Sequence, residues 1–114
     1  MRKYSILYMY FIIMGGKMPV ELKKYFWDTD FEKLDIQKNK EYIIARIYCY
    51  GDLKAIRWVK NTYSKNDIKE TAKHRRDLKP IVANYLRQQF NLKKEEMAYY
   101  RVVASMNYEY WKEG

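Results

Sequence analysis

NKEYIIARIYCYGDLKAIRWV, residues 39 to 59, reads as helix, stop, helix, and the rest of the chain is arranged around it. Tyr42, Ile43, Ile47 and Tyr50 recur at helical spacing, and Ile44 and Tyr48 widen the apolar stripe. Gly51 is expected to end this helix in left-handed backbone, which glycine adopts without steric cost. Asp52 follows as an N-cap, its carboxylate placed to accept a backbone N–H of the next turn. Leu53, Ile56, Val59 and Tyr63 supply an apolar edge for the second helix. So short a connection folds the two helices against each other as a corner.

Upstream, VELKKYFWDTDFEKLDI (residues 20–36) mixes aromatics with carboxylates. A short helix is expected over Val20 to Phe26, with Pro19 near its start. Trp27, Phe31, Leu34 and Ile36 are expected to pin the following loop onto the helical core. Asp28, Asp30 and Asp35 suit turns and caps, because short carboxylate side chains bond nearby backbone N–H groups. A calcium loop would need more ligands and a glycine in the turn. Further upstream, YSILYMYFIIM (residues 4–14) is almost wholly apolar but shorter than the roughly 20 residues of a membrane helix. It reads as a packed segment, a weak export signal or an extension outside the working domain. The last is favoured, because no small-residue cleavage site follows and Met18-Pro19 precedes all of the amphipathic pattern.

Downstream, Ser64 and Asp67 form a capping-box pattern, with Asp in the usual Glu or Gln position. The helix expected from Lys65 to about Arg75 has only Ile68 and Ala72 on its inner face. Lys65, Lys69, Lys73 and Arg76 run along it as a basic stripe. Like charges at that spacing weaken an isolated helix, so the stripe points to packing elsewhere or to an anion. The next helix is expected over about Leu78 to Phe90, with Leu78, Ile81, Val82, Tyr85, Leu86 and Phe90 facing inward. Asp77 could cap it, or Lys79 could precede a start at Pro80. Lys79, Ala83, Asn84, Arg87 and Gln88 fall opposite. Asn91 can close it in left-handed backbone. The segment from Lys93 to Gly114 fits a helix through Met97, Tyr100, Ala104, Tyr108 and Trp111, and also alternates as a strand would. A helix through about Ala104 is favoured, with the end left open.

The chain has 114 residues, 48% of them hydrophobic, and two prolines, which bounds it to one folded domain. Its single cysteine, Cys49, excludes an intrachain disulfide, and the one histidine leaves no structural zinc set. Cys49 is expected to be a small buried residue, in keeping with a reducing cytoplasm. The formal charge is +9, and residues 54–94 carry twelve Lys or Arg against only Asp67, Glu70 and Asp77. Such a block suits an anionic partner or a solvated basic face. No Gly-rich phosphate loop and no nucleophile motif is present. His74 stands beside two arginines as a surface residue rather than a general base. The thirteen tyrosines fall mostly on the apolar faces and serve packing before base stacking.

The two helices joined by a three- to four-residue turn at Arg75-Arg76-Asp77 have the outline of a helix-turn-helix, without its usual glycine. On double-stranded DNA, Lys65, Lys69, Lys73 and Arg76 would meet phosphates, and Arg75 in the turn belongs to the same nucleic-acid-binding set. Lys79, Asn84, Arg87 and Gln88 would meet base edges.

Two stretches, YFWDTDFEKLD (residues 25–35) and EYIIARIYCYGDLKAIRWV (residues 41–59), resemble a small prokaryotic family of unknown function. Its marks are an FWD-x-DF-xx-LD opening and a Gly-Asp-Leu helix corner. The likeness continues through Tyr63-Ser64-Lys65 and Arg76-Asp77-Leu78, spans about residues 19–97, and leaves the apolar extension outside. Members are often encoded beside nucleotidyltransferase-like toxins of the abortive-infection type. By that association the resemblance implies an antitoxin or regulator with a toxin partner. It carries no catalytic residue.

The sequence therefore predicts an all-α chain, a single bundle of four or five helices containing a helix-turn-helix-like pair. The expected layout is an extension at 1–17, a helical domain at 18–104 and a tail at 105–114. The expected function is a non-enzymatic, cytoplasmic, antitoxin-like or regulatory module with no cofactor and no metal. It would hold a protein partner through Tyr25, Phe26 and Trp27, and DNA through the basic face. The alternative is a general nucleic-acid-binding protein without a toxin partner.

Overall fold

The computed structural model of the chain describes residues 18 to 113, with side chains described as far as Met106. The apolar extension at 1–17, and the choice among its three readings, lies outside the described residues. Among the described residues the chain is all-α. Five α-helices follow one another: α1 (Lys40–Tyr50), α2 (Leu53–Thr62), α3 (Lys65–His74), α4 (Pro80–Gln89) and α5 (Ala98–Glu113). Short 3-10 segments occupy Val20–Tyr25, Phe31–Lys33 and Lys94–Glu96.

The first helix, α1, is the centre of the bundle. Ile43, Ile44 and Ile47 are fully buried, and Ala45 and Tyr48 nearly so. It packs against α2, α3 and the 20–25 segment, while α3 in turn meets α4 and α5. Helices this short gain most of their stability from such packing rather than from propensity.

The corner between α1 and α2 forms at Gly51, but not by left-handed backbone. Gly51 is extended, with φ −81° and ψ 164°. The glycine is required by a close approach: a Cβ there would lie 2.7 Å from the Ile47 carbonyl oxygen and 3.0 Å from the Ala55 Cβ. Asp52 caps α2 as expected, accepting the Ala55 N–H at 2.9 Å. The same crowding turns the small Ala55 inward with Val59, so Leu53, expected on the apolar edge, is 77% exposed.

The loop before α1 is pinned by Phe26, Phe31, Leu34 and Ile36, all buried. The buried Tyr63 hydroxyl donates to the Ile36 carbonyl at 2.8 Å and ties the loop to the α2–α3 junction. Asp35 accepts the N–H groups of Gln37 and Lys38, the turn role expected of it. Pro19 stands just before the Val20–Tyr25 turn as its N-cap.

Ser64 and Asp67 form a complete capping box at the start of α3. Ile68 and Ala72 face inward, joined by Thr71, whose hydroxyl donates to the Asp67 carbonyl at 2.8 Å. The helix ends at His74, and α4 starts at Pro80 with Lys79 as its N-cap. The connection is thus the five residues 75–79, longer than the turn expected.

The largest correction concerns which side of α4 faces inward. Ala83 and Leu86 are fully buried, whereas Ile81 is 79% and Tyr85 47% exposed. The apolar arc of α4 is broad, and the small Ala83 lets that side of the helix approach the core closely, so Ile81 and Tyr85 roll out to the rim. Asn91 closes the helix at φ 53°. The last helix, α5, is anchored by the buried Met97 just before it and by Tyr99 and Tyr100 against the core. It runs unbroken past residue 104, and the strand pattern of this segment is not used.

Candidate aromatic–cationic binding surface

Three consecutive residues expected to share one role have three different surroundings. Phe26 is 2% exposed and belongs to the core, so it is unavailable to a partner. Tyr25 is half-buried and lines a groove beside α2. Trp27, expected to be a buried anchor, is 63% exposed.

Trp27 is nonetheless held in place. The Arg46 guanidinium lies 4.8 Å from its ring centroid, 5.3 Å from that of Tyr42 and 5.6 Å from that of Tyr50. Tyr50 meets Trp27 edge to face at 4.9 Å between centroids, and the Lys79 ammonium sits 4.1 Å from the Tyr50 centroid. Edge-to-face rings and cations over ring faces are each favoured by the ring quadrupole.

The geometry depends on Arg46, whose side chain is only 13% exposed. Its Nη1 pairs with the Asp28 carboxylate at 2.9 Å and donates to the Tyr25 carbonyl at 3.3 Å. Its Nη2 donates to the Tyr42 hydroxyl at 2.9 Å. That hydroxyl also forms a short hydrogen bond with Thr29 Oγ1. Burial disfavours the charged guanidinium, but Asp28, Tyr42 and Tyr50 outweigh it and raise its pKa further. Arg46 in turn holds the Asp28 carboxyl below the usual carboxylate range. Charge pairing of this kind keeps a fixed cation beneath an exposed aromatic ring.

Beside the aromatic pair lies a cavity of about 150 Å³ lined by Tyr42, Ala45, Arg46, Cys49, Tyr50 and Asp77. Cys49 is half-buried and its Sγ accepts the Lys79 N–H at 3.4 Å. Burial pushes its thiol pKa up, so it stays protonated and a poor nucleophile. Across the rim, Arg75 and Asp77 form a two-point pair, Nε to Oδ1 at 3.1 Å and Nη2 to Oδ2 at 2.7 Å. The pair holds the Asp77 carboxyl below its usual range.

The residues assigned to DNA are distributed unevenly. Lys65, Lys69 and Lys73 fall along one side of α3, as a 3.6-residue repeat requires, although Lys73 leans on Glu70 at 3.9 Å. Arg76 lies beyond the helix, exposed in the connection. Arg75 is tied to Asp77, and Lys79 belongs to the Tyr50 surface. Asn84, Arg87 and Gln88 bond one another, with Asn84 Oδ1 accepting from Arg87 Nη2 at 3.1 Å and from Gln88 Nε2 at 3.5 Å. Arg87 is half-buried rather than opposite the core.

His74 is on the surface as expected, but it is not unaccompanied. Its Nδ1 lies 3.1 Å from Glu41 and its Nε2 3.4 Å from Glu70, which links the ends of α1 and α3. Neither partner was expected from the sequence; the i,i+4 spacing could have pointed to Glu70, but nothing in the sequence announced Glu41. Among the described residues, no group of three or more His, Cys, Asp or Glu is placed to hold a metal, and no helix is long and apolar enough to cross a membrane.

Residues 21–72 match a family of unknown function, DUF6922. The matched stretch runs from the first 3-10 turn almost to the end of α3, and so includes Trp27, Arg46 and Tyr50 but neither α4 nor α5. No curated protein and no solved structure matches the chain.

Proposed function

We propose that this chain is a non-enzymatic binding module that docks a protein partner through the Trp27–Tyr50 surface. The observation that carries the reading is the exposed indole of Trp27 fixed over the charge-paired Arg46. Exposed aromatic and arginine side chains preorganised in this way resemble the hot spots of protein interfaces, which are rich in Trp, Tyr and Arg. Trp27, Asp28, Tyr42, Arg46 and Tyr50 lie within the stretch that matches the family, while Arg75, Asp77 and Lys79 lie beyond it. The Lys79 ammonium, set over the Tyr50 ring and free of an ion pair among the described residues, favours an acidic partner face. The resemblance to a family encoded beside nucleotidyltransferase-like toxins makes such a toxin the partner to test first, with an antitoxin role for this chain.

The test is coexpression with that toxin-type protein, followed by affinity measurement on the purified pair. Wild-type protein should form a complex, and Trp27→Ala should weaken it by about tenfold or more. Lys69→Ala, away from the aromatic pair, should leave it intact. A toxin that binds wild type and Trp27→Ala equally well removes this surface from consideration.

A second reading, duplex DNA, is favoured by the alignment of Lys65, Lys69 and Lys73 along α3. Its signature is affinity that falls steeply with salt. Triple replacement of these lysines by alanine should reduce both the affinity and the salt slope, and absence of binding at low salt rejects it.

A further inference from the structure

The outer face of α2 belongs to neither the Trp27 surface nor the lysine stripe of α3. Residues 53–62 carry Lys54, Arg57 and Lys60 and no Asp or Glu. Leu53, Arg57 and Lys60 recur at i, i+4 and i+7, so they share one side of the helix. All are exposed, Leu53 at 77%. In the groove beside this helix, Glu21 and Asp52 stand against Lys24 and Lys54, and in that balance Arg57 and Lys60 have no counterpart. Neither of them is ion-paired among the described residues.

Two aliphatic side chains flank the same groove. Val20, 72% exposed, stands between Pro19 and Glu21, and Leu53 stands between Asp52 and Lys54; these four neighbours all line it. Solvated aliphatics beside free cations gain nothing from a nucleic-acid phosphate backbone, but they suit the boundary between lipid headgroups and acyl chains. The sequence adds a larger apolar element nearby. Residues 4–14 are almost wholly apolar and follow Arg2 and Lys3. Covalent geometry keeps Met14 within about 14 Å of Met18, the residue before the groove-lining Pro19.

We infer that the outer face of α2 docks on an anionic lipid bilayer. Arg57 and Lys60 meet the lipid headgroup charges, Leu53 and Val20 enter the headgroup boundary, and residues 4–14 supply further apolar contact. One weak signal holds a protein on a membrane only marginally, whereas an apolar anchor beside a basic patch holds it stably. The docking is peripheral, because the apolar run is shorter than the roughly 20 residues of a membrane helix. It stands or falls separately from the Trp27 surface.

Full-length protein is sedimented with sucrose-loaded vesicles of phosphatidylcholine alone, and of phosphatidylcholine with about one-third phosphatidylserine. It should partition several-fold more onto the anionic vesicles, and added salt should shrink the difference. Arg57→Ala combined with Lys60→Ala should weaken partitioning onto the anionic vesicles by about tenfold or more. Leu53→Ser should weaken it by about threefold or more. Ile12→Asp combined with Ile13→Asp should weaken binding to both kinds of vesicle. Circular dichroism should show the helices intact in all three variants. Absence of binding to anionic vesicles overturns the inference, as does equal binding to neutral ones or unchanged partitioning in any of the three variants. Duplex DNA bound through Arg57 and Lys60, with the vesicles left unbound, overturns it in favour of nucleic acid.

Discussion

The Arg46 guanidinium lies 4.8 Å from the Trp27 ring centroid, with the indole on its outer side and α1 behind it. The two residues depend on each other unequally. Trp27 is mostly solvated, so Trp27→Ala should change folding stability by about 0.5 kcal/mol or less. Arg46→Ala removes a largely buried side chain in contact with four aromatic rings, so it should cost roughly 1–2 kcal/mol. Urea unfolding of the two variants checks the order. Equal losses would mean that Arg46 contributes nothing beyond holding the indole.

Gly51→Ala should be among the most harmful small substitutions in the chain. The new methyl would stand 2.7 Å from the Ile47 carbonyl, which is backbone and cannot rotate away. A cost of about 1–3 kcal/mol is expected from overpacking alone. A stabilised Gly51→Ala protein, as at an ordinary exposed helix terminus, would contradict the close approach.

The start of α3 should show an acid-sensitive component of stability. Burial works to raise the Asp67 pKa, but Lys40 at 2.9 Å and the Ser64 N–H outweigh it and hold the carboxyl below 3.8. A carboxyl depressed in the folded state contributes stability above its unfolded value and loses it as pH falls through the folded one. Asp67→Asn should therefore be less stable than wild type at neutral pH, with the gap closing below about pH 3.8. Ser64→Ala, which removes the other half of the capping box, should cost about 1 kcal/mol. Thermal unfolding across pH measures both.

Tyr48 gives the opposite end of the pH scale. Burial, with Tyr85 adding to it, pushes its phenol from 10.0 up to about 12. A group raised in the folded state supports the fold below its unfolded pKa, and that support is lost as pH rises between 10.0 and about 12. Wild-type stability should fall across this window more steeply than that of Tyr48→Phe. Among the described residues the Tyr48 hydroxyl is also buried without a partner, so Tyr48→Phe should be neutral or stabilising by about 1 kcal/mol at neutral pH. A clear destabilisation would show that the hydroxyl is satisfied.

What could be read before the structure was mostly local. Asp52, Ser64, Asp67 and Asn91 act through bonds to residues a few positions away, and all four do as their spacing indicated. Ile43, Ile44 and Ile47 form a stripe too dense to face anywhere but inward. The α4 helix defeated the same reasoning because its apolar arc is broad enough to be centred in two ways, and only the neighbouring helices decide between them. The candidate surface was legible in one residue, Trp27. Arg46 looked like a mid-helix cation, and nothing in sequence tied it to Asp28 eighteen positions earlier. The pairing of Arg75 with Asp77 and of Arg87 with Asn84 likewise removed cations that spacing alone had left available.

The hydroxyl of Tyr42 touches Arg46 from its own helix and Thr29 from the incoming loop, and with the buried Phe26 and the Arg46–Asp28 pair it latches the strap from residue 25 to residue 29 onto α1. Its backbone should behave as one exchange unit with α1. In Tyr42→Phe, the hydrogen-bonded amides of Phe26 and Thr29 should lose protection from deuterium exchange together while those of α3 keep theirs. Whatever seizes the indole would then be pulling on the bundle's innermost helix.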